Sequence, residues 1–379
     1  MIYFDHNATT PIAAPVLEAM LPFLRGQYGN ASSRHDLGTV ARRAVERSRE
    51  QVAAAVGVQP VQVIFTSGGT EANNLLVKGA AATRKATQIA VSAIEHPCVL
   101  EPAKQLRRQG WSAVEIGVDA GGVVRSDALA DALQVPTGIV SIMLANNETG
   151  AIQPIAALGE QAAAARAVMH SDAVQAFGKI PVRFGELNVQ AMTISAHKIY
   201  GPKGAGALIV DKRLDLQPLL AGGGHERGTR SGTENVPAIV GFGVAAELAM
   251  QLLYDEPVRM ARLQARLEAG LRQRGGRIFA DAASRLSNTS YFAFADVEGE
   301  TLVIQLDAAG FATASGAACS SHHTGASRVL LAMGVESSLA GRAVRVSLGR
   351  DNDEAQIDAF LAALDVVLGR LKRLTAMAA

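Results

Sequence analysis

Lys198 is the residue whose surroundings point most directly to chemistry. It follows an apolar run at 191–194 and the polar residues Ser195 and His197, and a glycine-rich segment at 201–206 comes next. Lysines are usually exposed, so the simplest interpretation is a solvated surface charge. At the end of a strand, however, a crowded lysine can present a neutral amine and form a Schiff base with an aldehyde cofactor.

A carboxylate lies 26 residues before this lysine, at the end of another apolar run. A pyridoxal phosphate ring needs a carboxylate beside its pyridine nitrogen, because protonation there makes the ring an electron sink. Asp172 has the right type and position for that role, and Gln175 can bond the ring hydroxyl. Asp172 can equally be the cap of a following helix.

Residues 65–74 form a predicted strand, glycine turn and helix start. Gly68 and Gly69 let the backbone approach an anion, and free N–H groups with the Thr70 hydroxyl can bind phosphate. The glycine spacing matches neither a dinucleotide fingerprint nor a Walker loop. The alternative is an ordinary capped helix in which Thr70 is structural.

The sequence contains two cysteines, and their surroundings differ. Cys98 precedes an apolar pair and is predicted to be buried and inert. Cys319 lies among small, polar and glycine residues, which predicts a mobile exposed loop and a candidate nucleophile whose thiolate the nearby histidines favour. A metal site formed by Cys319, His322 and His323 is disfavoured, because adjacent histidines rarely share one ion and no second cysteine pair exists. We therefore expect no metal.

Two further residues count as candidates only together with this set. His96 follows Glu95 and can stack on a flat ring and move protons, although a lone histidine is more often structural. Arg345 alternates with apolar residues on a predicted strand, where an inward-pointing arginine needs an anion such as a substrate carboxylate. An exposed arginine paired with Asp or Glu would give the same pattern.

The elements that must position these residues follow an α/β pattern. From about 60 to 210, short apolar β-rich runs, one at 138–144, alternate with Ala-rich helices such as 71–82 and 155–166, which predicts a mostly parallel sheet covered on both faces. Ligands bind beyond the carboxyl ends of such strands, where the candidates fall. A β-like run at 287–294, a helix at 300–309, a strand at 343–348 and a final helix predict a smaller α+β domain. We expect a large domain at 16–254 and a small domain formed by 1–15 and 255–379.

Composition narrows the class of protein. With 379 residues, of which 49% are apolar, the chain can bury two cores, and its net charge of +1 favours neither nucleic acid nor an anionic membrane. No apolar run is long enough to span a bilayer, and the first residues lack the pattern of a signal peptide. Two cysteines suit a reducing compartment. We expect a cytoplasmic protein.

Taken together, these residues resemble those of the cysteine desulfurases of the NifS/IscS kind. These are fold-type I pyridoxal-phosphate enzymes of the class V aminotransferase group, with a mostly parallel seven-stranded sheet in a large domain and a smaller α+β domain. The resemblance runs almost end to end. Its motifs are 4–11 (FDHNATTP), 29–35 (GNASSRH), 95–96 (EH), 146–150 (NNETG), 195–198 (SAHK), 230–235 (RSGTEN), 315–319 (SGAAC) and 345–350 (RVSLGR).

The resemblance implies a role for each matched residue. Lys198 would form the Schiff base, and Asp172 would pair with the pyridinium nitrogen. The other implied roles are ring-hydroxyl ligands for Gln175 and Asn147, a phosphate cradle for Gly69, Thr70, Ser195 and His197, a phosphate contact from the neighbouring subunit of a homodimer for Thr233, a stacking acid/base for His96, a substrate-carboxylate clamp for Asn147 and Arg345, and a sulfur acceptor for Cys319.

The implied reaction is removal of sulfur from L-cysteine, which leaves alanine and a persulfide on Cys319. A persulfide is a reversible cap on a thiol, suited to delivery to a sulfur acceptor or iron–sulfur scaffold protein. The sequence departs from the family at 325–327, where Gly-Ala-Ser replaces a frequent Glu-Pro-Ser. The alternatives are a selenocysteine lyase, another pyridoxal-phosphate lyase or aminotransferase, and a non-catalytic scaffold of the same fold.

Overall fold

The structure is a computed structural model that describes residues 1–315 and 325–378. Its strands are β1 Ile2–Tyr3, β2 Val63–Thr66, β3 Gln88–Ser92, β4 Ser112–Ile116, β5 Thr137–Ser141, β6 Val168–Asp172, β7 Ala191–Ser195, β8 Gly206–Val210, β9 Arg277–Ile278, β10 Thr289–Ala293, β11 Phe311–Ala312, β12 Ala314–Ser315 and β13 Val344–Ser347. Its α-helices are α1 Ala14–Arg25, α2 Asp36–Val56, α3 Gly69–Ala82, α4 Pro97–Gln105, α5 Ser126–Ala132, α6 Ile155–Ala164, α7 Val236–Gln251, α8 Asp255–Gln273, α9 Gly299–Ala308, α10 Arg328–Ala332, α11 Ser337–Ala340 and α12 Glu354–Ala378.

A seven-stranded sheet lies at the centre of the larger part of the molecule, in the order β2-β8-β7-β6-β5-β3-β4. Strand β8 runs antiparallel to β2 and β7, and the other neighbouring strands are parallel. Every residue of β6, β7 and β8 is buried, because helices cover both faces. The predicted α/β class and mostly parallel sheet are confirmed.

Several predicted elements occur with shifted ends. The helices predicted at 71–82 and 155–166 correspond to α3 and α6. The apolar run at 138–144 was too long as a strand, since β5 ends at Ser141 and the chain then turns towards the site. Helices α1 and α2, which the apolar pattern did not indicate, pack against α7.

A second region surrounds a four-stranded antiparallel sheet, β12-β13-β10-β9, and the short parallel pair β1-β11. Its apolar cluster combines Phe4 with residues between Met260 and Leu368. The N-terminal segment joins this region through the register Ile2 to Phe311 and the bridge from Asp5 to Ser347. Residues 5–10 therefore run from the small sheet to the edge of the large one.

None of the described helices alone has the length and hydropathy of a membrane span. Helices α7 and α8 meet that criterion only as a pair, with a bend of 74° between them.

Candidate active site

Lys198 lies in a short 3₁₀ turn, residues Ala196–Lys198, directly after β7. This is the strand-end position that the sequence predicted, and the lysine is half-buried there. Its Nζ donates to the carbonyl oxygens of Asn7 at 2.5 Å and Ala8 at 2.7 Å. The amine is thus held at the carboxyl edge of the sheet by the N-terminal segment.

Asp172 ends the neighbouring strand β6, where it pairs in register with Thr193 of β7. Its carboxylate is buried and accepts one hydrogen bond at each oxygen. Asn73 Nδ2 of α3 donates to Oδ2 at 2.6 Å, and the Val174 backbone N–H donates to Oδ1 at 2.9 Å. Turns rather than a helix follow, so Asp172 does not cap a helix. The structure therefore places a fixed carboxylate beside the lysine.

Asn7 connects the residues around this edge. Its carbonyl oxygen accepts from Lys198 and from Gln175 Nε2, the latter at 2.9 Å. Its side-chain Nδ2 donates to the Asn147 carbonyl at 3.2 Å and to Thr289 Oγ1 at 2.9 Å. Asn7, Gln175 and Asn147 are all buried. One asparagine of the N-terminal segment therefore joins the lysine, the predicted ring-hydroxyl ligands and the small sheet.

The turn before α3 has the features of an anion cradle. Gly68 is the N-cap of α3 and no side chain caps this end, so the first N–H groups of Gly69 and Thr70 face outward. A Cβ on Gly206 of β8 would lie 2.7 Å from the Gly68 backbone, so close packing requires glycine here. Ser195 Oγ, buried nearby at the end of β7, has no hydrogen-bond partner among the described residues. These unpaired donors fit a phosphate group.

His197 completes this end of the site. Its Nδ1 lies 3.2 Å from Thr9 Oγ1, and its backbone carbonyl accepts from the Thr10 N–H at 2.9 Å. Burial and the positive charges of Lys198 and Lys203 lower the pKa of His197 to about 4. At neutral pH this imidazole is therefore neutral.

His96 caps α4 and lies on the side of the site nearest Asn73. Its Nδ1 accepts from the Cys98 backbone N–H at 3.2 Å and lies 2.9 Å from Cys98 Sγ. Burial lowers the pKa of His96, with the Lys198 charge acting in the same direction and Asp172 against it. Two donors facing Nδ1 place the proton of the neutral ring on Nε2.

Cys98 differs in part from its sequence prediction. Burial raises the pKa of its thiol to about 12, so it is inert as a nucleophile, as expected. It is only half-buried, however, and contacts both His96 and Asn73, whose Nδ2 lies 3.0 Å from Sγ. The α4 cap brings the thiol to the site, so Cys98 is less buried than the sequence predicted.

Arg345 points inward from β13, as the alternating pattern predicted, and is 4% exposed. Its Nη1 donates to the Asn147 carbonyl at 2.9 Å and its Nη2 to Asp5 Oδ1 at 2.6 Å. Arg345 Nε has no partner within residues 1–315 and 325–378. A buried guanidinium with one free donor fits a small carboxylate ligand.

A second acidic residue lies beside this arginine. Ser327 Oγ donates to Glu148 Oε2 at 2.5 Å, and it also caps α10 by accepting from the Leu330 N–H at 3.2 Å. Burial raises the pKa of Glu148. Burial, with the Glu148 charge adding to it, holds the pKa of Tyr291 well above its usual value. Ser327 thereby joins the segment that follows residue 324 to Glu148.

Two predicted site residues cannot be placed in this cluster. Cys319, with His322 and His323, lies outside the described residues. Thr233 is exposed in the turn before α7. Within the described ranges, no group of three or more His, Cys, Asp or Glu side chains has metal-site geometry.

The structure adds residues that the motifs did not single out by role. Asn7, Asn73 and Lys179 are polar residues that face the predicted ligands, and Glu148 and Asp5 accompany Arg345. Asn7 and Glu148 lie inside motifs already noted, and Lys179 comes four residues after Gln175. Apart from the contact between Lys179 and Gln175, their contacts join residues far apart in sequence, so spacing alone carried little signal.

Comparison with known proteins gives consistent matches. The family described as Aminotransferase class-V matches residues 2–360. A "Cysteine desulfurase" of Gluconacetobacter diazotrophicus is 41% identical over 379 residues, covering 99% of this chain and 95% of that protein. A "Cysteine desulfurase IscS" of Dictyoglomus turgidum is 40% identical, covering 99% and 96%.

Solved structures agree with these relatives in fold. A structure titled "NIFS-LIKE PROTEIN" superposes with a TM-score of 0.91 at 38% identity, covering 97% of this chain and 99% of the other. A NifS-like protein from Rickettsia africae has a TM-score of 0.87 at 33% identity, covering 97% and 99%. A third structure, "SspA in complex with cysteine", has a TM-score of 0.82 at 32% identity, covering 92% and 99%.

Proposed function

Because this chain belongs to the class-V aminotransferase family and, within it, to the cysteine desulfurases, we propose that it removes sulfur from L-cysteine with pyridoxal 5'-phosphate as its cofactor. The products would be L-alanine and a persulfide on Cys319. The observation that carries this proposal is the placement of Lys198 and Asp172 at the adjacent carboxyl ends of β7 and β6. A half-buried amine beside a buried carboxylate is the pair that a pyridoxal ring requires.

The residues present suit each part of the cofactor. Asp172 would bond the ring nitrogen, Gln175 and Asn147 the ring-hydroxyl side, and Lys198 the aldehyde carbon. The phosphate would lie at the start of α3, where Gly69 and Thr70 offer outward N–H groups and Ser195 Oγ an unpaired hydroxyl. When bound, the cofactor supplies an electron sink for charge that develops at the substrate Cα.

The chain's own groups would bind the substrate and move its protons. Arg345, with a free Nε, would bind the cysteine carboxylate beside Asn147. His96, neutral because burial lowers its pKa, would offer its Nε2 proton from the face nearest Asp172. The Cys319 thiolate would then form a bond to the substrate sulfur as the carbon–sulfur bond breaks, which leaves the persulfide on the protein.

We propose further that the chain works as a homodimer in the cytoplasm. Thr233, exposed in one chain, would reach the phosphate of the neighbouring subunit. The persulfide would pass to a sulfur acceptor or an iron–sulfur scaffold protein. The chain would divide into a large domain, 16–254, and a small domain, 1–15 with 255–379, and the separate apolar cluster that joins Phe4 to residues after Met260 supports this division.

Two measurements on purified protein test the proposed function. With added pyridoxal phosphate, the protein should develop an absorbance band near roughly 400 nm that Lys198→Ala abolishes and Lys212→Ala keeps. Cys319→Ala should lose alanine formation from cysteine while it keeps the band. No band in the wild type would contradict the cofactor, and full alanine formation from cysteine by Cys319→Ala would show that sulfur leaves without transfer to Cys319.

A further inference from the structure

Lys179 is a half-buried lysine that has no role in the proposed chemistry. Its Nζ donates to Asn7 Oδ1 at 2.8 Å and to Gln175 Oε1 at 2.9 Å. Both acceptors are neutral amide oxygens, and one of them belongs to Gln175, a predicted ligand of the cofactor. The lysine is therefore placed to act on the site through its neighbours.

The protonation state of Lys179 fits these two partners. Burial, together with the positive charges of Lys198 and Arg345, holds the pKa of Lys179 well below its usual value. An uncharged amine keeps two N–H groups and a charged ammonium has three, so either form has enough donors for the two amide oxygens. Lys179 therefore donates to Asn7 Oδ1 and Gln175 Oε1 whether its amine is charged or neutral.

The contacts of Lys179 match the orientation of both amides. Asn7 Nδ2 faces the Asn147 carbonyl at 3.2 Å, an acceptor only, so Asn7 must turn Oδ1 to the lysine. Gln175 must likewise turn Oε1 to Lys179, and its Nε2 then donates on the opposite side, at present to the Asn7 carbonyl at 2.9 Å. Asn7 Oδ1 also accepts from Asn288 Nδ2 at 3.1 Å, so Asn7 keeps its orientation without Lys179. If Gln175 Nε2 turns to a bound ring hydroxyl, the Lys179 contact is what keeps Oε1 on the opposite side.

We propose that Lys179 is a positioning residue that holds the side-chain amide of Gln175 in the orientation needed to bind the cofactor's ring hydroxyl. This inference rests on the proposed function. It extends the site along the series Lys179, Asn7, Asn147 and Arg345, in which each residue contacts the next. The cofactor side and the substrate side thereby share one polar network.

The test uses the full-length protein and pyridoxal phosphate itself. Lys179→Met keeps the length of the side chain but removes both donors, and exposed Lys212→Met is the matched control. The dissociation constant for pyridoxal phosphate and the pH midpoint of the bound absorbance band are measured, together with the melting temperature. We expect Lys179→Met to bind about tenfold more weakly, with a shifted midpoint, because an unfixed amide presents its donor only part of the time. Lys212→Met should match the wild type.

A double-mutant cycle separates positioning from general destabilisation. If Lys179 acts through Gln175, Lys179→Met should weaken binding little further in a Gln175→Ala background. Fully additive losses, or unchanged affinity and midpoint in Lys179→Met, would overturn the inference. Should Lys179→Met not fold, Lys179→Gln, which can present either a donor or an acceptor, gives the same comparison. A wild type without affinity for pyridoxal phosphate would instead overturn the proposed function and this inference with it.

Discussion

The two ends of the site are built in different ways. At the lysine end, Lys198 and Asp172 come from adjacent strands of one sheet, and β6 and β7 fix their spacing through backbone pairing. At the arginine end, Arg345 of β13 meets Asp5 and the Asn147 carbonyl, which are 340 and 198 residues away in sequence. Sheet register positions the first end, whereas side-chain contacts between three segments position the second.

This difference predicts how each end responds to substitution. A residue on the sheet keeps its place when its side chain is changed, so substitution there should remove chemistry and leave the fold intact. A residue at the arginine end is both a predicted substrate ligand and a link between segments, so its substitution should alter substrate binding and stability together. Four substitutions test this difference between the two ends of the site.

The largest effect is expected for Asp172→Asn. The substitution removes the charge beside the predicted position of the ring nitrogen and keeps the side-chain shape. The Val174 N–H keeps its acceptor, and the Asn73 amide can turn its unpartnered Oδ1 to the new N–H group. Alanine formation should fall by about a hundredfold or more, as for loss of one fixed electrostatic group. The melting temperature should change little. Exposed Asp127→Asn is the control, and an active Asp172→Asn protein would contradict the assigned role.

A pH dependence of stability is expected from His170, in the middle of β6. Burial lowers its pKa to about 3, and it bonds Ser141 Oγ at 2.8 Å and Thr193 Oγ1 at 3.1 Å as a neutral ring. The unfolded chain binds the proton near pH 6.5, so the folded state loses stability as pH falls from about 6.5 towards 3. The slope contributed by this group should approach about 1.4 kcal/mol per pH unit.

Urea unfolding at a series of pH values measures this slope. His170→Asn should unfold with a smaller pH dependence across that window than the wild type, even if it is less stable at pH 7. Equal slopes would show that the buried ring is not the group that titrates.

An intermediate effect is expected at the arginine end. Arg345→Lys keeps the charge but loses the planar fork that contacts Asp5 and Asn147 at once. The KM for cysteine should rise by about tenfold and the melting temperature should fall, while kcat changes less. Arg342→Lys, in the same segment and paired with Glu298, is the control. A fall in kcat with unchanged KM would place Arg345 outside the substrate clamp.

The smallest effect is expected for Ser327→Ala. This hydroxyl both caps α10 and donates to Glu148, so its removal should cost about 1 kcal/mol of unfolding free energy. Because it anchors the chain after residue 324 beside Arg345, alanine formation should also fall modestly. Ser338→Ala, on the exposed start of α11, is the matched control. If neither the unfolding free energy nor alanine formation changes, the Ser327 contact does not position the site.

The same contrast explains how much of the molecule was predictable. The strands of the large sheet have continuous apolar runs, so Lys198, Asp172 and the turn at Gly68 could be located from period and turn chemistry alone. Lys179 and Asn7 could not be, because their roles depend on hydrogen bonds that close only when the N-terminal segment folds across the sheet. The contact of Cys98 with His96 was missed for a related reason, since apolar neighbours indicate burial but not which polar group lies opposite.

We propose that sulfur passes from cysteine to Cys319 at this site. One turnover of cofactor-loaded protein with L-cysteine tests it, with alanine measured in solution and the peptide containing Cys319 analysed by mass spectrometry. We expect alanine and a persulfide on Cys319 in equal amounts, and neither product with Lys198→Ala. Alanine without the persulfide would contradict the proposed sulfur transfer, and the absence of both from the wild type would contradict the proposed function itself.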